Sequence, residues 1–579
     1  MLSNIAKVEL EGMLASLESD SSSILLFDFK AAFPSLSQEY LWAVLTHLGV
    51  PQPLLRALQC FYIDNQHFMK IKGAFFTSIM SRSGIRQGCP LSPILFAVVV
   101  DLLLRRLASL FPNDTLKAFA DDIGMAIQHF DRSADSLQKE FMEFAKISNL
   151  HLGMAKTVLI PLWPFSKRSM QTHLKDMFPF WSAAQLETCS KYLGVVVGPG
   201  RGSSSWDAPL VKFEERALTW SRLPVGLSQM AQTYNTFVVS VLSFIQQIEN
   251  VPERALCAEA SALCKFAVAP GNWVMSGDLF HLRELFHLPI SFRSLAVGSL
   301  ASKLRVLTYE VTNAKKLWAE LQTLLLDHIN TPLRREWYES CFAKNLALAE
   351  SEALALGVSC KGIIGTLKDR APKSGDARIY IRDNFQREAY TQISNSRRFL
   401  MNVEERHRTK QSRWKLVLPP RIAASRATGM FKRLSALVSP RVVATVARTH
   451  WNGWCTKRRF QLVGPCLFHC SISCYDAVEH YPFCVVFKSL LQRVLHLPII
   501  DTFQNFLMLD HRLWSDDRLV VTSIAHYALY SAFNAARLSE HRATEFWLDF
   551  MERQCYFAVL GHARSTRALK ITMAHCHQW

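Results

Sequence analysis

The sequence predicts an α+β fold in its first 200 residues, a small antiparallel sheet packed on helices, followed by a mostly helical remainder. Short apolar runs alternate with amphipathic stretches in the first part. From about residue 208 to residue 356, apolar side chains recur at helical spacing. The chain has 579 residues, 49% of them hydrophobic, which is too long for one core and predicts three or four domains.

The elements of the first part can be placed in order from their apolar patterns. Helices are expected at 4–18, 38–48, 52–62, 93–110 and 133–149. Strands are expected at 24–29 and 192–197, and hairpins at 68–79, around Lys72-Gly73, and at 116–128, around an Asp-Asp pair. Composition then divides the chain into an α+β domain (1–205), a helical region (206–360), a basic and mobile linker (361–415), a basic region with a Cys/His cluster (416–490) and a C-terminal helical region (491–579).

The positive charge is concentrated in one stretch. The formal net charge is +18, and between Lys368 and Phe460 there are 22 Lys/Arg against 6 Asp/Glu. A localised basic block is typical of proteins that bind a phosphate backbone, although a solvated linker or a contact with acidic lipid would have the same composition. At the end of this stretch, Trp451 and Trp454 precede Lys457-Arg458-Arg459, a combination that suits stacking on unpaired bases beside phosphate contacts.

Membrane and secretory classes are disfavoured. The longest apolar run, Ile94 to Leu104, is interrupted by Asp101 and is too short to span a bilayer. No secretory leader opens the chain, so its fourteen cysteines are expected in a reducing, intracellular compartment. Clustered cysteines there indicate metal ligands rather than disulfides.

Three acids stand in unusual surroundings. Asp28 lies inside an apolar run, where a carboxylate is costly unless it is paired or binds a metal. Asp121 and Asp122 are adjacent at an expected turn between apolar strands, and cations would relieve their repulsion. Nucleotidyl transfer uses shared carboxylates to hold two divalent cations, and hard oxygen ligands favour Mg²⁺. A lone Asp-Asp is usually an ordinary turn, however, and a lone aspartate is often a cap.

The residues around and between these acids are more specific. Phe-Asp-x-x-x-Ala-Phe (27–33) is followed by Gly-x-x-Gln-Gly-x-Pro-Leu-Ser-Pro (84–93) and then by Phe-Ala-Asp-Asp (119–122). This order and spacing resembles the palm of reverse transcriptases, and the Gln-Gly-Cys-Pro-Leu-Ser-Pro form resembles that of non-LTR (LINE-type) retrotransposons and group II intron proteins. The resemblance implies a right-hand polymerase, with a palm at 1–205 and a helical thumb or connection at 206–360.

The resemblance assigns roles to particular residues. Asp28, Asp121 and Asp122 correspond to the ligands of two Mg²⁺ ions, with Asp122 as the supporting acid. Phe33 corresponds to the aromatic wall that excludes a 2′ hydroxyl, although ordinary core packing is the alternative. Further residues correspond to the substrate-binding segment (Arg86, Gln87 and Gly88), to the lysine that protonates or holds the leaving pyrophosphate (Lys156, otherwise a surface ion pair) and to the primer grip (Tyr192, Leu193 and Gly194).

The implied function is RNA-directed DNA synthesis in target-primed reverse transcription. Its partners would be an RNA template, a DNA primer or target DNA, and dNTPs, in a nuclear or cytoplasmic ribonucleoprotein; the oligomeric state is not indicated. Only 27 residues precede Asp28, so we expect most of the fingers, and an endonuclease, to be missing. The alternatives are a catalytically inactive nucleic-acid-binding remnant and, more weakly, a group II intron maturase.

A cysteine and histidine cluster follows the basic block. Cys466, Cys470, His480 and Cys484 have the spacing C-x3-C-x9-H-x3-C, and three thiolates with one imidazole can close a tetrahedral Zn²⁺ site. The segment 476–484 resembles the C-terminal knuckle of LINE-type proteins. The first pair departs from the usual separation of two residues, so Cys474 and His469 compete as ligands.

Overall fold

The computed structural model describes residues 1–63, 66–80, 83–267, 270–271, 273–326, 332–373, 376–470, 474–539 and 542–560. The last part of the expected C-terminal helical region, 561–579, lies outside the described residues. The chain divides into two compact units. The first unit comprises Met1–Asp207, Phe244–Asn250 and Leu300–Ala389, and the second comprises Ala208–Ser243, Val251–Ser299 and Tyr390–Trp579.

The first 200 residues alternate helices and strands as expected. The helices are α1 (Leu2–Glu18), α2 (Ala32–Ser35), α3 (Gln38–His47), α4 (Gln52–Cys60), α5 (Ser92–Leu110), α6 (Phe130–Ser148) and α7 (Lys167–Met177). The strands are β1 (Ser23–Phe27), β2 (Gln66–Ile71), β3 (Ala74–Met80), β4 (Thr115–Phe119), β5 (Asp122–Ile127), β6 (Val158–Pro161), β7 (Gln185–Leu186), β8 (Ser190–Tyr192) and β9 (Val195–Val197). The mixed α+β prediction is confirmed.

A five-stranded sheet in the order β4-β5-β1-β6-β7 forms the centre of the first unit. β1 is antiparallel to both of its neighbours, and all five of its residues are buried. One pair differs from the expected antiparallel sheet, because β6 and β7 are parallel. Helix α7 lies between them in the chain and provides the crossover that a parallel pair needs.

The sheet core is rich in aromatic side chains. Phe27 of β1 packs against Phe141 of α6, with ring centroids 4.7 Å apart. The buried Trp181 donates its indole N–H to the Ala134 carbonyl at 3.0 Å, which satisfies the polar atom of a large ring inside the core. Helix α1 packs on β4 and β5, and Asn4 donates to the Ala118 carbonyl at 2.9 Å. These contacts hold the β4–β5 hairpin against α1.

The segment expected as one strand at 192–197 is a hairpin. β8 and β9 are antiparallel and are joined at Leu193 and Gly194, whose φ angles are +48° and +89°. Two consecutive residues with positive φ form the tight turn that matches the twist of a two-residue hairpin. The non-glycine residue at the first position hides this turn in the sequence.

The remainder is helical where it is described. Its helices are α8 (Asp207–Trp220), α9 (Leu227–Thr233), α10 (Glu253–Ala267), α11 (Ser276–Phe280), α12 (Leu282–Phe286), α13 (Leu295–Tyr309), α14 (Ala314–Leu326), α15 (Pro332–Ser340), α16 (Phe342–Ala355), α17 (Cys360–Arg370), α18 (Ala377–Ser394), α19 (Val403–Gln411), α20 (Pro420–Leu437), α21 (Pro440–His450), α22 (Val485–Ser489), α23 (Phe503–Phe506), α24 (Asp516–Ala536) and α25 (Thr544–Leu560). Among the described residues, no helix is long and apolar enough to cross a bilayer.

The stretch expected as a mobile basic linker, 361–415, differs from that expectation. Most of it lies in α17, α18 and α19, and Ile363, Leu367, Phe385 and Ala389 are buried. Its apolar residues are sparse but recur at helical spacing, so a narrow stripe is enough to hold polar helices against the fold. The boundaries proposed between the other regions stay predictions.

Candidate active site and metal cluster

Strand pairing brings the three acids to one edge of the sheet. Asp121 and Asp122 lie at the β4–β5 turn, where Ala120 has a φ of +54° and Phe119 pairs with Asp122. Phe27, the last residue of β1, pairs with Ile123 of β5. Because these two strands are antiparallel, Asp28 comes opposite Asp122. Residues separated by more than ninety positions in the sequence therefore share one site.

The electrostatics of this edge favour a bound cation. Burial raises the pKa of Asp122, and the charges of Asp121 and Asp28 raise it further. The Oδ2 atom of Asp28 is buried and has no hydrogen-bond partner among the described residues. An unpaired buried carboxylate oxygen beside two further carboxylates is costly, and divalent cations with oxygen preference would offset that cost.

The segment 150–157 holds Asp28 in place. The Gly153 amide donates to the Asp28 carbonyl at 2.7 Å, and the Asp28 amide contacts Thr157 Oγ1 at 3.4 Å. A Cβ atom at Gly153 would lie 2.9 Å from Asp28 Oδ2, so a larger residue there would displace that carboxylate. Lys156 is exposed in the same turn, and its amide donates to the Gly153 carbonyl at 2.8 Å. The turn therefore places Lys156 in the chain segment that contacts Asp28.

Backbone hydrogen bonds join the segment around Phe33 to the loop that follows β3. Ile85 donates to the Phe33 carbonyl at 2.8 Å, and the Gly84 amide donates to Leu36 at 2.7 Å. The Phe33 ring is half-buried and stacks on Phe96 at 4.9 Å. At Gly84, where φ is +81°, a Cβ atom would come within 2.4 Å of the Pro34 carbonyl oxygen.

The next loop residues differ in their contacts: Arg86 is held by residues at the end of α4, whereas Gln87 and Gly88 are exposed. Gln87 and Gly88 are exposed, and Gly88 has a φ of +85°. The guanidinium of Arg86 donates to the Phe61 carbonyl and lies over the Tyr62 ring at 5.7 Å. Arg86 is thus held by the end of α4, while Gln87 and Gly88 form the exposed part of the turn.

The β8–β9 hairpin lies against the acids. Tyr192 donates its hydroxyl to the Lys117 carbonyl at 3.1 Å, and a Cβ atom at Gly124 would lie 2.9 Å from its ring. Burial and the charge of Asp122 raise the pKa of Tyr192, so its hydroxyl stays protonated. The turn residues Leu193 and Gly194 line a cleft of about 470 Å³ together with Met1, Phe119, Ala120, Asp121, Asp122, Lys191 and Phe244. One open cleft therefore contains both the Asp-Asp turn and the hairpin.

A second constellation lies in the second unit. The ligand atoms of Cys466, Cys470, His480 and Cys484 all lie within 4.8 Å of one another. The Cys466 and Cys484 sulfurs are 3.9 Å apart, and Cys470 Sγ is 3.2 Å from His480 Nε2. Hydrogen bonding from Cys484, followed by the charge of His480, lowers the pKa of Cys470. This donor set matches the four residues expected from the spacing and fits a metal ion.

The two competing candidates, Cys474 and His469, make backbone hydrogen bonds to Cys466. Cys474 contributes a backbone contact, since its carbonyl accepts from the Cys466 amide at 2.9 Å. His469 has a φ of +51°, and its amide donates to the Cys466 carbonyl at 2.9 Å. Neither belongs to the group of four among the residues that the structure describes.

The expectation that Trp451 and Trp454 stack on bases is wrong. Both side chains are fully buried. Trp451 donates to His407 Nδ1 at 3.2 Å, and Trp454 donates to Thr449 Oγ1 at 3.1 Å. Each ring packs in the core of the second unit with its polar atom satisfied, so neither can contact a nucleic acid without unfolding.

The three acids lie in a part of the chain that is similar to known proteins. Residues 6–197 match the family described as reverse transcriptase (RNA-dependent DNA polymerase). A 130-residue stretch is 28% identical to the retrovirus-related Pol polyprotein from the type-1 retrotransposable element R2 of Popillia japonica. Residues 6–197 are therefore similar to a reverse transcriptase domain. The R2 match covers 21% of this chain and 22% of that relative, so the chain is matched to less than a quarter of the relative's length.

The surroundings of the acids include residues to which the sequence motifs assign no individual role. Lys191 and Phe244 line the cleft beside the acids, and Gly153 packs against Asp28. Lys191 directly precedes the Tyr-Leu-Gly of the hairpin, which is a local signal that could have identified it. Phe244 lies fifty residues beyond Gly194 in a helical stretch and has no such signal.

Proposed function

We propose that this chain is an RNA-directed DNA polymerase that acts in target-primed reverse transcription. The observation that supports this is the convergence of Asp28 and Asp122, on paired strands, with Asp121 in a cleft that also contains the β8–β9 hairpin. A nucleic-acid-binding remnant would have no need to keep three carboxylates together at a cost in folding free energy. The geometry therefore favours the enzyme over the inactive alternative.

The proposed partners follow from the reaction. The 3′ hydroxyl of a DNA primer, or of nicked target DNA, attacks the α-phosphate of a dNTP that is paired with an RNA template, and pyrophosphate leaves. When bound, two Mg²⁺ ions would activate the hydroxyl and stabilise the charge on the leaving group. Asp28 and Asp121 would hold both ions, and Asp122 would support them from the opposite strand. We place this activity in a ribonucleoprotein, nuclear or cytoplasmic.

The other residues of the cleft would position the reactants. Tyr192, Leu193 and Gly194 would hold the primer end, with the buried Tyr192 ring fixing the hairpin beside the acids. Lys156 would donate a proton to the leaving pyrophosphate or hold the triphosphate as a flexible cation. Gln87 and Gly88, in the exposed turn, would contact the incoming nucleotide and the template, and Arg86 would support that turn from Phe61.

The direct test is primer extension. A DNA primer annealed to an RNA template is incubated with the chain, dNTPs and Mg²⁺, and product length is measured. Extension that requires Mg²⁺ and is lost in an Asp121 variant supports the proposal. Tight binding of the primer–template without any extension, under conditions in which the fold is intact, contradicts it.

Replacement of Phe33 by valine tests the assignment of the aromatic wall. Removing the ring is expected to raise ribonucleotide use relative to dNTP use by about 10- to 100-fold, because a hydroxyl is then no longer excluded by contact. The measurement is the ratio of incorporation efficiencies for a dNTP and its ribonucleotide. Phe144→Leu, another aromatic truncation in the same core, is the control and should leave the ratio unchanged. An unchanged ratio in Phe33→Val would assign this ring to core packing alone.

We propose that Cys466, Cys470, His480 and Cys484 bind one structural Zn²⁺. The proposal rests on the closely spaced Cys₃His donor set. Asp476 supports the fold around it, because it accepts from the Tyr481 hydroxyl at 2.6 Å and from the Lys457 amide at 2.8 Å. A buried structural zinc contributes directly to folding stability.

Replacement of Cys484 by serine is expected to lower the zinc content from about one ion per chain to near zero and to lower the melting temperature of the second unit. Cys474→Ser is the matched control, because Cys474 is the competing ligand and lies outside the group of four. The measurements are elemental analysis and thermal unfolding with and without a chelator. Loss of zinc in Cys474→Ser with retention in Cys484→Ser would overturn this ligand set.

A further inference from the structure

Four cationic side chains of the second unit are held close together. Arg406 and Lys410 lie one turn apart on α19, Arg413 follows the end of that helix, and Arg459 lies in the turn after Trp454. Arg406 and Lys410 both lie over the Trp451 ring, at 5.6 and 5.2 Å from its centroid. We call these four residues the cation cluster.

Hydrogen bonds to other residues of the second unit fix three members of the cation cluster. Lys410 donates to the Trp273 carbonyl at 2.6 Å, and Arg459 donates to the Gly271 carbonyl at 2.9 Å and to the Asn452 carbonyl. Arg406 makes two hydrogen bonds of 2.6 Å to Asp278. Carbonyl acceptors orient Lys410 and Arg459 without neutralising them, so the cluster keeps most of its charge.

The cluster is short of negative charge. Arg406 is paired with Asp278, an acid whose side chain is 1% exposed, whereas the cluster contains four cations. Burial, and then the charges of Arg406, Arg413 and Arg459, lower the pKa of Lys410 to about 8 despite Asp278. Partial burial and the charge of Arg406 also lower the pKa of Arg413, although the residue is exposed at the surface. The cations are therefore near enough to repel one another, and an added anion would relieve that repulsion.

Arg413 is the member that is available to a ligand. Its side chain is exposed, and it has no ion-pair or hydrogen-bond partner within the described residues. By contrast, Arg408 on the same helix is paired with Glu405 at 2.5 Å. A guanidinium beside three fixed cations can bind a planar pair of phosphate oxygens through two parallel N–H donors.

We propose that the cation cluster is a binding site for the phosphodiester backbone of RNA, contacted directly by Arg413. It lies in the second unit, whereas the acids and the hairpin lie in the first unit. The surrounding stretch from residue 368 to residue 460 carries 22 Lys/Arg against 6 Asp/Glu, which favours a long polyanion over a single small anion. The site deepens the proposed function, since it would hold the RNA that the polymerase copies, but its binding does not require catalysis.

The test measures binding of a fluorescent single-stranded RNA, of mixed sequence and about 20 nucleotides, over a range of salt concentrations. Arg413→Gln is expected to weaken binding by about 3- to 10-fold and to reduce the slope of log Kd against log salt by roughly 0.7, the loss of one phosphate contact. Arg408→Gln removes the same charge from a paired residue of the same helix and should stay within about twofold of wild type. Arg413→Lys should recover part of the binding.

The possible results either support or overturn RNA binding at the cation cluster. Equal binding and equal salt slopes for Arg413→Gln and Arg408→Gln would overturn the proposal. Displacement of the RNA by polyglutamate at equal charge concentration would also overturn it, in favour of an acidic protein partner. Measuring the same variants in an Asp121→Asn background separates this site from the polymerase. Loss of RNA affinity there supports the cluster even if no DNA synthesis is ever detected.

Discussion

Asp121→Asn is expected to abolish DNA synthesis, lowering the rate of primer extension by roughly a thousandfold or more. The substitution keeps the size of the side chain and removes one of the three carboxylate charges at the β4–β5 turn. Because Asp121 is exposed at that turn and raises the pKa of Asp122, its loss should not destabilise the fold. Primer–template binding should therefore be retained while the chemical step is lost. Single-turnover extension with Mg²⁺ measures this directly.

Asp101→Asn is the matched control for that experiment. Asp101 is also an exposed aspartate of the first unit, but it pairs with Arg105 on the surface of α5 at 2.6 Å. Its replacement should change the extension rate by less than about twofold, since exposed ion pairs contribute little. Comparable rates for Asp121→Asn and wild type would show that the three acids do not form the reaction centre.

Arg201→Met is expected to cause the largest loss of stability, about 3–5 kcal/mol in the free energy of unfolding of the first unit. The Arg201 side chain is 1% exposed and lies 2.9 Å from Glu9 and 2.7 Å from Glu249. Its guanidinium also lies 3.9 Å from the centre of the Phe342 ring. The substitution leaves two buried carboxylates without their cation, which costs far more than the contacts themselves contributed.

The free energy of unfolding of Arg201→Met is also expected to depend on pH. Burial raises the pKa of Glu9 to about 7 even beside Arg201, and burial also raises the pKa of Glu249. Without the guanidinium, both carboxyl groups are protonated in the folded state. The folded state then binds protons more strongly than the unfolded state does, so the free energy of unfolding of the variant increases as the pH falls from 8 to 6. Lys167→Gln removes an exposed partner of Glu187 and should cost less than about 1 kcal/mol at either pH. Urea titrations at both pH values measure the difference, and equal losses for the two variants would contradict the burial argument.

The convergence of the three acids was predictable from the sequence because its signals are local. Asp28 follows a short apolar run that could only be a buried strand, and the Asp-Asp pair is flanked by apolar residues on both sides. The structure pairs those strands directly. The four residues of the Cys/His cluster were predictable for the same reason, since all of them lie within nineteen consecutive residues.

What could not be predicted depends on contacts that are distant in sequence. Arg201 lies in a glycine-rich loop typical of a solvent-exposed turn, and its burial is set by Glu9 and Glu249. Trp451 and Trp454 stand beside basic residues, so composition suggested a nucleic-acid surface, whereas partners as distant as His407 and Phe533 fix both rings in the core. Composition reports the charge of a segment and does not report which of its side chains face inward.

Asp28, Asp121 and Asp122 are expected to bind a pair of divalent cations together. Electron paramagnetic resonance of Mn²⁺, added to the chain with a dideoxy-terminated primer on an RNA template and the next dNTP, tests it most directly. Wild type is predicted to bind two magnetically coupled ions about 4 Å apart, and Asp28→Asn is predicted to lose the coupled signal while Asp101→Asn keeps it. A coupled signal of unchanged intensity in Asp28→Asn would contradict the claim.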